Sequence, residues 1–171
     1  MAADFWASTH YKHWLKSKSA LHASQSKDAE YYSPQQLWQL HLFFIEHIHH
    51  IGMKLKLRQR VVATACVYFK RFYFKTNFCD FDPSLLAPTV ILLACKVEEC
   101  SKNARDILKA IQVIERALYR EMNENNEMIQ LEIKVCPYDI SDITQCEFAL
   151  TQVLDYQLVL YTYLPTYLPT S

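Results

Sequence analysis

Glycine is almost missing from this chain: Gly52 is the only one in 171 residues. Sheet proteins and phosphate-cradling loops use glycine for positive φ, tight turns and close backbone approach. Its scarcity points to helices joined by short polar or proline-marked turns, and it excludes a nucleotide-binding loop. An excess of either charge is missing too. Eighteen Lys and Arg balance eighteen Asp and Glu, for a formal net charge of zero. That removes the general electrostatic case for DNA, RNA or an anionic membrane as partner. No C-x-x-C spacing links the six cysteines, Cys66, Cys79, Cys95, Cys100, Cys136 and Cys146. Several fall in apolar runs, where a free thiol behaves as a small hydrophobe. They are read as reduced, which suits the cytosol or nucleus. The N-terminus carries no charged-then-apolar leader, and the longest apolar run, residues 90–95, is too short to cross a bilayer.

Apolar residues, by contrast, make up 51% of the chain. A chain of this length supports one domain that removes roughly 70% of its unfolded surface from water. Residues 4–15 place Phe5, Trp6, Tyr11, Trp14 and Leu15 in an aromatic stripe, which predicts a short N-terminal helix. Residues 17–33 are polar without a sustained period and read as a connector. Ser33 and Pro34 then open a long helix as N-cap and first-turn proline, with Leu37, Leu40, Phe44, Ile48 and Ile51 on one face. Gly52 is expected to end it at the C′ position. A third helix is predicted over about 57–74, burying Val61, Ala65, Tyr68, Phe69 and Phe72, with small Ala63 and Cys66 allowing close approach. Asp82 and Pro83 start a fourth, apolar on nearly every side and so expected at the centre, with Pro88 costing one hydrogen bond to Ser84. Ile107, Leu108, Ile111, Ile114 and Leu118 mark an amphipathic segment, and residues 121–127 are too hydrophilic to pack. A last helix is predicted over about 140–154, anchored by Ile143, Phe148, Leu150 and Leu154. A repeated Tyr-Leu-Pro-Thr, starting at Tyr163 and Tyr167, predicts an extended tail over 161–171.

The residues offer little for catalysis. His47 and His50 stand one turn apart, but no H-E-x-x-H and no third ligand at helical spacing accompany them, so no metal is assigned. No thiol has a neighbour that would activate it. No enzyme activity and no cofactor follow. The alternating run Lys54, Lys56, Arg58, Arg60 reads as a solvated face rather than a nucleic-acid contact. Lys96 follows directly on an apolar run, and Glu147 sits between Cys146 and Phe148. By position alone both read as exposed charges at helix edges.

Taken together, the strings YFKRFY (68–73), LLAP (85–88), LLACKVEE (92–99) and CEFALTQVLDYQLVLY (146–161) resemble the cyclin box in order and spacing. FWASTHYKHWL (5–15) and KLRQRVVATACVYFKRFY (56–73) resemble the transcriptional members of that family. The resemblance covers nearly the whole chain outside residues 100–135. It implies an all-α fold, a single five-helix cyclin-box bundle over 34–160, preceded by the N-terminal helix and connector of 1–33. It also implies a role for Lys96 and Glu147: the two meet on the surface and hydrogen-bond backbone groups beside a kinase's αC helix. Val97, Tyr156 and Leu158 match apolar contacts that flank the pair. Glu98 and Glu99 are expected to meet kinase arginines that otherwise receive a phosphorylated activation loop. Phe5 and Trp6, in the N-terminal string, are counted with this partner-binding set.

The implied function is a regulatory subunit that binds and activates the cyclin-dependent kinase of the Mediator kinase module in RNA polymerase II transcription, in the nucleus. An active kinase needs its αC glutamate paired with its ATP-binding lysine, and a partner that favours the inward αC shifts the population toward that state. Two alternatives stay open: a nonproductive binder that occupies the kinase, and a nucleic-acid-binding module like the related transcription-factor core. The substrate-docking M-R-A-I-L string of cell-cycle cyclins is absent, and Lys70 stands where they carry aspartate. A second box, through which contacts to other Mediator subunits would run, is not expected within the chain.

Overall fold

The computed structural model describes residues 5–123 and 137–160. The repeated Tyr-Leu-Pro-Thr tail lies outside the described residues. A single π-helical turn, His10–Trp14, precedes α1 (Lys18–Ser24) and a 3₁₀ turn (Asp28–Glu30). The bundle itself consists of α2 (Pro34–Lys54), α3 (Gln59–Lys75), α4 (Pro83–Val97), α5 (Ala104–Asn123) and α6 (Ile140–Val153). Among the described residues there is no strand.

The helix starts follow the sequence signals. Ser33 accepts the Gln36 N–H, and the Gln36 side chain accepts the Ser33 N–H, a reciprocal capping box ahead of Pro34. Asp82 accepts the Ser84 N–H ahead of Pro83, and Asp139 and Asp142 cap α6 in the same reciprocal way. α4 forms the axis of the domain, packed by α2, α3, α5 and α6. Every residue from Leu86 through Cys95 is buried, as its all-round apolarity requires. Pro88 lies within α4, and the carbonyl of Ser84 that it cannot satisfy belongs to an exposed residue. α3 contributes the aromatic half of the core: Tyr68, Phe69, Phe72 and Tyr73 are fully buried. Tyr73 stacks on Phe78 with centroids 3.9 Å apart, and its hydroxyl donates to the Phe81 carbonyl at 2.9 Å. Burial drives the Tyr68 and Tyr73 phenols well above their ordinary pKa.

Three local expectations need correction. Gly52 does not end α2; it lies inside it without a positive φ, where a Cβ would sit 2.6 Å from Val62 Cγ2. Its role is close approach of α2 and α3. The left-handed residue after α2 is Lys56, at φ 53°, with Leu57 N–H on the Gly52 carbonyl and Lys56 N–H on the Met53 carbonyl. This is a Schellman closure made without glycine. Second, the supposed connector carries α1, capped by Ser17 on the Ala20 N–H, while the expected helix before it shrinks to one π turn. It also supplies Asp28, whose buried carboxylate accepts the Phe78 and Cys79 N–H groups, both at 3.1 Å. A polar stretch without period was thus a clamp on the α3–α4 loop. Third, Phe148 is no core anchor; it is 74% exposed, while Ile143, Cys146, Leu150 and Leu154 fill that face of α6.

Candidate functional site

Lys96 is the fourteenth residue of α4 and Glu147 the eighth of α6, and the packing of those two helices brings their side chains together. Lys96 Nζ donates to both Glu147 carboxylate oxygens at 2.7 Å. The carboxylate is sheltered, at 12% side-chain exposure, whereas the lysine is 56% exposed. An ammonium has three donors and each carboxylate oxygen has a spare lone pair, so the pair keeps both a donor and acceptors for a partner. Beside it, Leu92, Lys102, Ala104, Arg105, Ile140 and Thr144 complete a groove of about 540 Å³.

Val97 follows Lys96 and is half-buried against the core. Glu98 and Glu99, adjacent in sequence, have different environments. Glu98 is turned inward: its carboxylate accepts Arg60 Nε–H at 2.7 Å and the Thr64 hydroxyl at 2.9 Å. Arg58 Nη2 donates to the Glu98 carbonyl at 3.3 Å. Two members of the basic run therefore tie the start of α3 to the end of α4. Glu99 is exposed and left-handed, at φ 53°. Its N–H bonds the Lys96 carbonyl and the Cys100 N–H bonds the Cys95 carbonyl, so α4 also closes in a Schellman turn. That turn fixes where Glu99 projects.

The segment after α6 closes the same way, with Asp155 and Tyr156 both at positive φ. Tyr156 is 73% exposed. Leu158 is half-buried, and its carbonyl accepts the Tyr68 hydroxyl at 2.5 Å. Between them, Gln157 is held from two sides. Its side-chain oxygen accepts Trp14 Nε1–H at 2.8 Å, and its carbonyl accepts Arg71 Nη1–H at 3.2 Å. The Arg71 guanidinium lies over the Trp14 ring at 4.5 Å. Arg71 is 5% exposed, and burial pulls its pKa down to about 10. Arg71 and Gln157 escaped sequence reading because nothing in their local strings says that the N-terminal π turn docks there. Lys70, next to the buried arginine, is exposed. Phe5 and Trp6 fall in an aromatic cluster with Tyr11; Trp6 is 67% exposed and meets Tyr11 edge-on at 4.9 Å. His47 and His50 gain no further ligand, and no group of three metal-binding side chains occurs among the described residues.

Residues 12–159 match the family model described as "Cyclin, N-terminal domain". The chain is 38% identical to rat Cyclin-C over 164 residues, covering 94% of this chain and 53% of that protein. It is 37% identical to Drosophila melanogaster Cyclin-C over 161 residues, covering 94% and 57% respectively. It is 35% identical to rice Cyclin-C1-1 over 163 residues, with the same coverage of 94% and 57%. The chain thus spans just over half the length of these relatives. In fold it is similar to a chain of the yeast TFIIK complex, with a TM-score of 0.67 at 21% identity over 92% of this chain and 58% of that one. A chain of the Chaetomium thermophilum CAK complex bound to ATP-gamma-S gives 0.65 at 18% identity, over 91% and 48%. With the bundle, the strings and the family model in agreement, this chain belongs to the cyclin family and carries its N-terminal domain.

Proposed function

We propose that this chain is a noncatalytic regulatory subunit that binds and activates a Mediator-associated cyclin-dependent kinase in RNA polymerase II transcription, in the nucleus. The observation that carries the reading is the Lys96–Glu147 pair, two charges from different helices set together at an open surface. Similarity to Cyclin-C proteins supports the choice of kinase.

In this reading, Lys96 donates to a carbonyl and Glu147 accepts an N–H from the backbone beside the kinase αC helix. Neither helix terminus of the kinase then carries stranded polar groups at the interface. Val97, Tyr156 and Leu158 supply the apolar flank, and exposed Phe148, adjacent to Glu147, extends it. Glu99, free of the ion pair that occupies Glu98, is the carboxylate offered to the kinase arginines. Glu98 positions it by holding the α4 terminus to Arg60 and Thr64. Phe5 and Trp6 extend the partner surface at the N-terminal end.

Activation follows from differential affinity. If the surface fits only the inward αC, binding stabilises the state in which the αC glutamate meets the ATP-binding lysine. Shifting that equilibrium from 1:99 to 99:1 requires about 10⁴-fold preference for the inward state. The engagement of Arg58 and Arg60 by Glu98 weighs against a nucleic-acid role for the basic run. The test is kinase activity with and without this chain. Stimulation supports the reading, and binding without stimulation replaces activation by occupancy.

A further inference from the structure

The Schellman turn that ends α4 places two cysteines at its two ends. Cys95 is the third residue from the helix C-terminus and Cys100 is the second residue beyond the cap, and the Cys100 N–H bonds the Cys95 carbonyl at 2.7 Å. A carbonyl oxygen lies about 2.4 Å from its own Cα and an amide nitrogen about 1.46 Å from its own, so these two Cα atoms are no more than about 6.6 Å apart. That is within the span a disulfide accepts. In this motif the two side chains also face each other, in the place usually filled by a hydrophobic contact. The Cys95 and Cys100 thiols are close enough to interact.

Their exposures differ in a useful way. Cys95 is completely buried in the core, and burial pushes its thiol up to about 12. Cys100 is half-exposed, and both thiols are free. The Lys102 N–H donates to the Cys100 carbonyl at 2.8 Å.

We propose that Cys95 and Cys100 form a dithiol modification site, oxidised by hydrogen peroxide to a disulfide that closes a ring around residues 96–99. The Cys100 thiolate attacks one peroxide oxygen; the O–O bond breaks, leaving a sulfenic acid on Cys100 and hydroxide, which takes up a proton to become water. The Cys95 sulfur then attacks the Cys100 sulfur, the S–OH bond breaks, and the Cys95 thiol proton leaves with that hydroxide as a second water. Two thiols and one peroxide become one disulfide and two waters. Cys100, open to solvent, is the reacting thiol and buried Cys95 the resolving one.

The ring contains Lys96, Val97, Glu98 and Glu99. As the sulfurs close from contact to a bond of about 2.05 Å, the turn at residues 98–100 takes up the movement. Oxidation therefore weakens kinase binding; this consequence, unlike the disulfide itself, rests on the kinase-binding reading.

The experiment is a titration of the reduced chain with hydrogen peroxide, followed by intact-mass measurement and peptide mapping without reductant. The expected result is a loss of about 2 Da, mapped to a Cys95–Cys100 link and reversed by dithiothreitol. Cys100→Ser, at a half-exposed site, abolishes the link with the fold kept by circular dichroism. Cys95→Ala leaves a sulfenic acid that dimedone traps on Cys100. Overoxidation of Cys100 while Cys95 remains alkylatable, or a link to any other cysteine, overturns the proposal. Kinase affinity measured on the reduced and oxidised chains tests the consequence: at least about a tenfold loss is expected, which dithiothreitol restores. Equal affinities overturn it. A reduced chain that does not bind would sink the kinase reading and leave the mapped disulfide standing.

Discussion

Asp28→Ala probes whether residues 17–33 belong to the folded domain. Asp28 is 1% exposed, and its two carboxylate oxygens accept the Phe78 and Cys79 N–H groups at 3.1 Å each. Phe78 is buried and Cys79 exposed. Removing the carboxylate strands the Phe78 amide away from water, which costs about 1.5–3 kcal/mol for a charge-assisted bond. The Cys79 amide recovers a water and loses about 0.5–1 kcal/mol. The total is about 2–4 kcal/mol, a fall in Tm of roughly 6–12 °C for a chain of this size. Asp28→Asn does not rescue it, because the amide nitrogen now faces an N–H donor. Urea unfolding followed by far-UV circular dichroism measures the effect, with a lower midpoint and an unchanged slope. A loss below about 1 kcal/mol would show that the clamp is dispensable and the segment is a connector after all.

Three further outcomes follow from the backbone and from one half-buried imidazole. Lys56→Gly relieves a left-handed non-glycine residue and is expected to raise stability by about 0.5–1 kcal/mol; destabilisation in urea would contradict the closure assigned to α2. Gly52→Val drives a side chain into Val62 and is expected to cost at least about 1–3 kcal/mol, much of it recovered in a Val62→Ala background. Additive losses in that double-mutant cycle would refute the close approach. His41 meets Phe78 edge-on at 4.8 Å, and burial, assisted by the Lys70 charge, holds its pKa below the ordinary imidazole value. The folded state refuses a proton that the unfolded chain accepts. Stability is therefore complete above about pH 6.5 and declines as the pH falls below it. Urea midpoints taken at about pH 7.5 and 5.5 should differ less in His41→Leu than in the parent, and an identical difference would exclude His41 as a source of the slope.

What was legible in the sequence was carried by strong local chemistry. Ser33-Pro34 and Asp82-Pro83 marked helix starts, and the uninterrupted apolar run in α4 marked the centre, because each signal is read from neighbours in the chain. The ends of helices were harder. In a chain with one glycine, left-handed closure falls to Lys56, Glu99 and Asp155, residues that advertise nothing. Asp28 was invisible for another reason: its partners lie about fifty positions downstream. Phe148 was misassigned because an aromatic beside a buried face looks the same in sequence whether it points in or out. Lys96 and Glu147 were suspect as charges at apolar edges, but composition alone favoured the bland reading. Only the family resemblance connected them, and the helix packing then places them 2.7 Å apart. The contacts of Glu98 with Arg60 and Thr64 were not legible either, because those partners lie more than thirty positions upstream.

The central claim is that the Lys96–Glu147 surface binds the Mediator-associated cyclin-dependent kinase. The most direct test is the affinity of purified kinase for this chain, for Lys96→Ala and for Glu147→Ala. Within the chain the pair is a partly exposed ion pair worth at most about 1 kcal/mol, so both variants remain folded. The account predicts that each loses about 2–4 kcal/mol of binding free energy, a weakening of roughly 30- to 1,000-fold, by stranding polar groups on the kinase. Affinities within a few tenths of a kcal/mol of the parent, with all three chains folded, would contradict it.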